Sequence, residues 1–152
     1  EAANASFELI VKKYLGMTDN YFEINYFKII GEKTGRMPNP SSAIVKLAVN
    51  GQSSIAADEG DGPVNALDKA LRQALTVFYP SIADVHLTDY KVRVIDGSAA
   101  TAANVRVLIE STDGKDIWTT VGASTDVINA SVIALLDSME YKLMKDNSHK
   151  NS

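Results

Sequence analysis

Two stretches of the chain, 20–81 and 82–146, carry the same succession of patterns, and this repetition constrains the fold more than any single motif. Each opens on an extended run rich in aromatic and β-branched residues, 21–30 in the first and 85–95 in the second. A loop follows: Gly-Arg-Met-Pro-Asn-Pro and its neighbours within 31–42, and the small-residue segment 97–103. Two further extended runs come next, 43–49 and 52–58 across Asn50-Gly51, then 104–111 and 116–121 across Thr112-Asp113-Gly114-Lys115. An Asn-Gly pair between extended runs predicts a type I′ hairpin, because that turn needs positive φ at both central residues; the second turn is expected to share its chemistry. A helical period closes each stretch: Val64, Leu67, Ala70, Leu71, Ala74, Leu75 and Phe78 in one, Ile128, Val132, Leu135, Leu136, Met139 and Leu143 in the other. Both helices carry Asn-Ala early, Asn65-Ala66 and Asn129-Ala130.

The fold class that follows is α+β: two βββα units related by an internal pseudo-twofold duplication, with a short N-terminal helix. Three strands and one helix bury too little apolar surface to stand alone, so the halves are expected to pack together. Short sheets also leave open edges, which favours a homodimer. The run 21–30 shows no helical period and reads as a strand buried on both faces. Phe7, Ile10, Val11 and Tyr14 recur at i, i+3, i+4, i+7, with Lys12 and Lys13 in the last turn and Gly16 beyond, predicting an amphipathic helix whose apolar face needs a partner. Residues 1–19 are therefore expected to be a helix and linker left from a region connecting to a preceding domain. Residues 20–146 form the domain itself, divided at 81/82, and 147–152 a disordered polar tail.

Composition narrows the function by exclusion. A net charge of −4 with pI near 5.1 and no basic stripe argues against a nucleic-acid partner. The absence of cysteine excludes disulfides, thiolate catalysis and cysteine-ligated zinc. No apolar run reaches the roughly 18 residues of a membrane span, and no signal-peptide layout opens the chain, so a cytoplasmic location is expected. The two histidines, His86 and His149, have no neighbours at metal-ligand or triad spacing. Asp58, Glu59 and Asp61 crowd one turn but lack the calcium-loop pattern, and read as solvated acids. Trp118 reads as core. Asp89 and Tyr90 put a carboxylate and a phenol in mid-strand, on opposite faces by alternation and without an accompanying nucleophile. No catalytic residue and no metal ligand is assigned, and the chain by itself is expected not to be an enzyme.

The segment 59–75, EGDGPVNALDKALRQAL, holds the most specific chemistry. Pro63 suits the first helical position, which makes Gly62 the N-cap. Gly60 and Gly62 let another molecule approach the backbone, and the free N–H groups of the first helical turn favour a carboxylate or phosphate. Asp58, Glu59 and Asp61 would repel a multiply charged phosphate and attract an amine. A zwitterion meets both demands, so an amino acid is the candidate ligand. A capped core helix with no ligand fits the same residues.

The series Gly60-Asp61-Gly62-Pro63-Val64-Asn65-Ala66-Leu67, Leu87-Thr88-Asp89-Tyr90, Thr101-Ala102-Ala103, Trp118-Thr119-Thr120-Val121-Gly122 and Asn129-Ala130-Ser131 resembles the C-terminal regulatory domain of the 2-isopropylmalate synthase family over about residues 20 to 144. Tyr79-Pro80, Asp89-Tyr90-Lys91-Val92-Arg93 and 97–103 are most similar to its citramalate synthase branch. The resemblance implies a homodimeric allosteric domain of two βββα units that binds a branched-chain amino acid for feedback inhibition, isoleucine favoured and leucine next. It implies effector contacts at Gly60, Asp61, Gly62, Val64, Asn65, Leu87, Tyr90, Val94, Thr101 and Ala103. Leu87 and Tyr90 have opposite strand parity, so a shared site needs a local bulge or a strand end. The resemblance further implies a catalytic TIM barrel elsewhere in the full-length acyltransferase, using a divalent metal and acetyl-CoA, with no cofactor in the present chain. A structural dimerisation module without a ligand is the alternative.

Overall fold

A computed structural model describes residues 4–17, 19–31, 40–95 and 104–150, with side chains to 148. Along the chain run α1 (Asn4–Tyr14), β1 (Glu23–Gly31), β2 (Ser41–Val49), β3 (Gln52–Gly60), α2 (Pro63–Thr76), a 3-10 turn (Pro80–Asp84), β4 (His86–Val94), β5 (Val105–Thr112), β6 (Ile117–Ser124) and α3 (Val127–Lys150). The βββα order predicted from the repeat is present twice, in two antiparallel sheets ordered β1-β2-β3 and β4-β5-β6. The chain separates into two compact units, one of residues 20–83 and one of 1–19 with 84–152.

In the first unit β2 is the central strand, and its alternation is complete: Ser41, Ala43, Val45, Leu47 and Val49 are buried, the residues between them half-buried. They meet Ala66, Leu67, Ala70, Leu71, Ala74 and Leu75, the inner face of α2. Removing one such side chain, Leu47→Ala for example, should cost about 2–5 kcal/mol. Asn50 at φ 50° and Gly51 at φ 84° close the β2–β3 hairpin in the left-handed conformation that the Asn-Gly pair predicts. The expectation for 21–30 is corrected: β1 is an edge strand, half-buried on one side only. Its aromatic content marks strand propensity, which does not distinguish an edge from a centre. The Tyr79 hydroxyl donates to the Tyr21 carbonyl at 2.6 Å and ties the lead-in of β1 to the end of α2.

The second unit is closely packed as well. A Cβ on Gly122 would lie 1.9 Å from the Ala130 carbonyl oxygen, so α3 rests directly on β6. Small residues make this approach possible, since Ala130, Ser131, Ala134 and Ser138 form the inner face of α3 together with Leu135 and Met139. Ile128, Val132 and Leu136, expected inside, are only half-buried. Each buried hydroxyl has a partner, as burial requires. Thr120 donates to the Ala134 carbonyl at 2.8 Å, Ser111 and Ser138 share a 2.7 Å bond, and the Trp118 indole N–H reaches Ser138 Oγ at 3.1 Å.

The β5–β6 turn differs from the Asn-Gly hairpin. Only Gly114 has positive φ, at 90°, and Asp113 organises the loop by accepting the N–H groups of Lys115 and Asp116 at 3.0 and 2.8 Å. Lys142 and Lys145 of α3 reach the same carboxylate at 2.8 and 3.4 Å, pinning the turn to the helix. Burial works against the Asp113 charge, but the Lys142 and backbone hydrogen bonds more than offset it and hold the carboxyl well below its ordinary range. Helix α3 continues to Lys150, through the polar stretch after Asp146.

Helix α1 lies with the second unit, against α3 and β6. The face it buries is Ala5, Ser6 and Leu9, while Phe7, Ile10, Val11 and Tyr14 are exposed. Helical spacing of apolar residues identifies a face that wants cover; it does not say that the same chain supplies it.

Candidate functional site

The start of α2 is built by three constraints. Gly60 ends β3 opposite Ser41, and a Cβ there would stand 2.3 Å from Asn65 Oδ1 and 2.6 Å from the Ala66 nitrogen, so only glycine lets the helix fold back against the strand end. Asp61 then donates its backbone N–H to Asn65 Oδ1 at 3.3 Å. Gly62 is the N-cap in extended conformation, φ −162° and ψ 177°, and Pro63 follows at the first helical position. No side chain caps this helix, and a Cβ on Gly62 would meet nothing within 4 Å. The first-turn N–H groups of Val64 and Asn65 therefore present the positive end of a 14-residue helix through an open approach. Asp58, Glu59 and Asp61 are exposed around it.

The duplicated unit shows what a closed version looks like. Matching Asn65-Ala66 to Asn129-Ala130 places Asp126 where the first unit has Gly62. Asp126 accepts the backbone N–H of Asn129 at 2.9 Å and its side-chain amide at 2.9 Å, so α3 carries its own carboxylate at its N-terminus. One helix start is satisfied from within; the other lacks that group.

Strand β4 carries Leu87, Tyr90 and Val94. Their parity problem is resolved by a bulge: Leu87 pairs with Ser111 and Asp89 with Glu110, leaving Thr88 as the extra residue. Leu87 and Tyr90 consequently share the face that β5 fills with Ser111 and Ile109, while Asp89 points to the opposite, exposed face. The Tyr90 hydroxyl lies 2.9 Å from Ser131 Oγ. Ser131 already gives its proton to the Val127 carbonyl at 2.7 Å, so Tyr90 is the donor. Val94 is exposed at the strand end. Sheet β1-β2-β3 has the same irregularity, with Asn25 extra between Ile24 and Tyr26.

Gly60, Asp61, Gly62, Val64 and Asn65 thus meet in one turn, and Leu87 and Tyr90 on one strand face. Thr101 and Ala103 lie outside the described residues. The Ser131 contact to Tyr90 escaped the sequence reading; the only signal for it is a serine within the small-residue face of α3. Trp118 is core, as expected. Among the described residues no group of three or more histidine, aspartate or glutamate side chains is placed to hold a metal ion, and no helix is long and apolar enough to cross a membrane.

Comparison with known proteins places the chain in a family. Residues 1–143 match the family described as the LeuA allosteric (dimerisation) domain. The chain is similar to (R)-citramalate synthases: 52% identical to that of Aquifex aeolicus over 96% of this chain and 28% of the relative, and 48% identical to that of Geobacter sulfurreducens over 100% and 29%. A probable 2-isopropylmalate synthase of Methanosarcina acetivorans is 30% identical over 97% of the chain and 28% of its own length. The chain therefore spans little more than a quarter of the curated relatives it matches. With a match across nearly its whole length and the βββα units in place, the chain belongs to the LeuA allosteric (dimerisation) domain family.

Proposed function

We propose that this chain is the homodimeric effector-binding domain of a longer, cytoplasmic acyltransferase, and that it senses a branched-chain amino acid at the start of α2. The observation that carries the reading is the asymmetry between the two units: α3 is capped by its own Asp126, whereas α2 begins at a bare Gly62. A ligand carboxylate placed there would take the role that Asp126 plays in the other unit, and the acids at 58, 59 and 61 suit the ammonium group. Val64, in the same turn, is the apolar side chain assigned to the aliphatic tail. Relatives named citramalate synthase are 42 to 52% identical to this chain and those named 2-isopropylmalate synthase 30%, which favours isoleucine over leucine. The two ligands differ in the position of one methyl group, worth about 1–3 kcal/mol in a fitted pocket.

The catalytic step, condensation of acetyl-CoA with a 2-oxo acid such as pyruvate, belongs to the remainder of the longer protein, and the divalent metal it uses would be held there. Inhibition requires that the effector bind the inhibited state more tightly than the active one. Isothermal titration of the chain with isoleucine, leucine, valine and pyruvate tests the reading. Saturable binding of one branched-chain amino acid, with isoleucine tightest, is expected; no binding of any of them leaves a structural dimerisation module.

A further inference from the structure

Helix α1 has two apolar faces, and the chain uses one. Its inner face is locked down by Ala5 and Leu9 and by polar bonds. Ser6 Oγ accepts the N–H of Val121 at 2.9 Å and donates to Asp137 at 3.0 Å, Lys13 pairs with Glu140 at 3.1 Å, and the Tyr141 hydroxyl donates to Glu8 at 3.4 Å. The helix therefore cannot roll to bury its other side. On that side Phe7 is 69% exposed, Ile10 66% and Tyr14 89%, with Val11 between them 37% exposed. A contiguous apolar stripe of this kind marks an interaction surface.

We infer that this stripe is a seam through which two copies of the chain associate, with α1 packed antiparallel against the α1 of a second copy about a twofold axis. The inference rests on the dimerisation reading above and adds the surface. A twofold contact must be self-complementary, and the spacing 7, 10, 11, 14 reads the same in both directions: Phe7 falls opposite the partner's Tyr14 and Ile10 opposite the partner's Val11. Polarity selects the antiparallel pairing. Glu8 lies in the first half of α1 and Lys12 and Lys13 in the last turn, so a parallel pair would stack lysines on lysines and align the helix dipoles, whereas the antiparallel pair brings unlike ends together. The two aromatic side chains alone present on the order of 300 Å², a substantial part of the roughly 800 Å² each partner buries in a standard interface.

Sedimentation equilibrium of the 152-residue chain over a range of concentrations provides the test. The wild type is expected to dimerise, and Ile10→Asp and Tyr14→Asp to weaken association by about thirtyfold or more, with circular dichroism unchanged and Tm equal to wild type at concentrations where all are monomeric, because neither side chain is in the core. Dimerisation of both variants at wild-type strength overturns the surface while leaving the dimer reading intact; a wild type that stays monomeric overturns both. The absence of native cysteine makes orientation readable. Oxidation should link Ile10→Cys chains, near the axis, but not Tyr14→Cys chains; efficient linking through position 14 overturns the antiparallel arrangement.

Discussion

Replacing Gly62 with aspartate would copy into α2 the cap that α3 already has. The new Cβ meets nothing within 4 Å, and the backbone at φ −162° is extended and open to any residue, so the variant should fold. An Asp N-cap improves on glycine by a few tenths of a kcal/mol, and its charge at the helix start adds about 0.3–1 kcal/mol, partly cancelled by repulsion from Asp58, Glu59 and Asp61. Net stability should stay within about 1 kcal/mol of wild type, a Tm change of roughly 2–4 °C at this chain length. The effect on the ligand is far larger. Two carboxylates about 4 Å apart at a protein surface repel by about 4 kcal/mol, which is close to a thousandfold in affinity. Isoleucine at 100 times its Kd should raise the wild-type stability by about 2.7 kcal/mol, or roughly 5–10 °C by the same scaling, and should leave Gly62→Asp unmoved. Differential scanning fluorimetry with and without isoleucine reads both numbers. An equal ligand-induced shift in the two proteins would refute the placement of the carboxylate at the α2 start.

Further outcomes follow from the second unit. Gly122→Ala should cost at least about 1–3 kcal/mol, because its Cβ would lie 1.9 Å from the Ala130 carbonyl, whereas Gly62→Ala should be close to neutral; chemical denaturation separates the two. Asp113→Ala should destabilise by about 1–3 kcal/mol, since it removes the carboxylate that accepts the turn N–H groups and Lys142 while Asp146 remains 3.1 Å from Lys142; denaturation again measures it. Because the Asp113 carboxyl is held below its unfolded value, its contribution is present above about pH 4 and is lost as pH falls further, so the gap in Tm between wild type and Asp113→Ala should narrow in acid. Asp137 has the opposite sign. Burial raises its pKa, the Ser6 hydrogen bond opposing and Glu140 reinforcing, so its ionisation costs stability as pH rises from about 4. Asp137→Asn, which keeps an acceptor for Ser6, should therefore raise Tm at pH 7 and lose that advantage toward pH 4; an advantage independent of pH would contradict the assignment.

The repeat and the βββα order were legible because they rest on local chemistry, the Asn50-Gly51 turn and the Gly-Pro helix start above all. Which strand is central was not. β1 has the aromatic residues and lies at an edge, while β2, with serine, alanine and lysine among its apolar positions, carries the core. The inner face of α3 holds Leu135, Met139 and Leu143 as expected but not Ile128, Val132 and Leu136, for a related reason. Ranking by hydrophobicity selects Ile128, Val132 and Leu136, but close packing on Gly122 selects alanine and serine, a preference of shape that periodicity does not carry. At the site, the bare cap at Gly62 could be inferred from residues alone, whereas a bulge between Leu87 and Tyr90 was one of two options, a strand end being the other, and arose only from the family resemblance; the strand register decides for the bulge. The hydrogen bond between Tyr90 and Ser131 joins positions 41 apart and needed the fold.

The extra residues Asn25 and Thr88 also limit how these strands can change in length. Each acts as a phase shift in the alternation of its strand. Deleting Thr88 would restore a regular ladder but rotate one part of β4 by half a turn, exchanging Tyr90 for Asp89 on the face toward α3 or turning Leu87 away from it. Insertions and deletions in the first strand of either repeat should therefore be tolerated only at its ends.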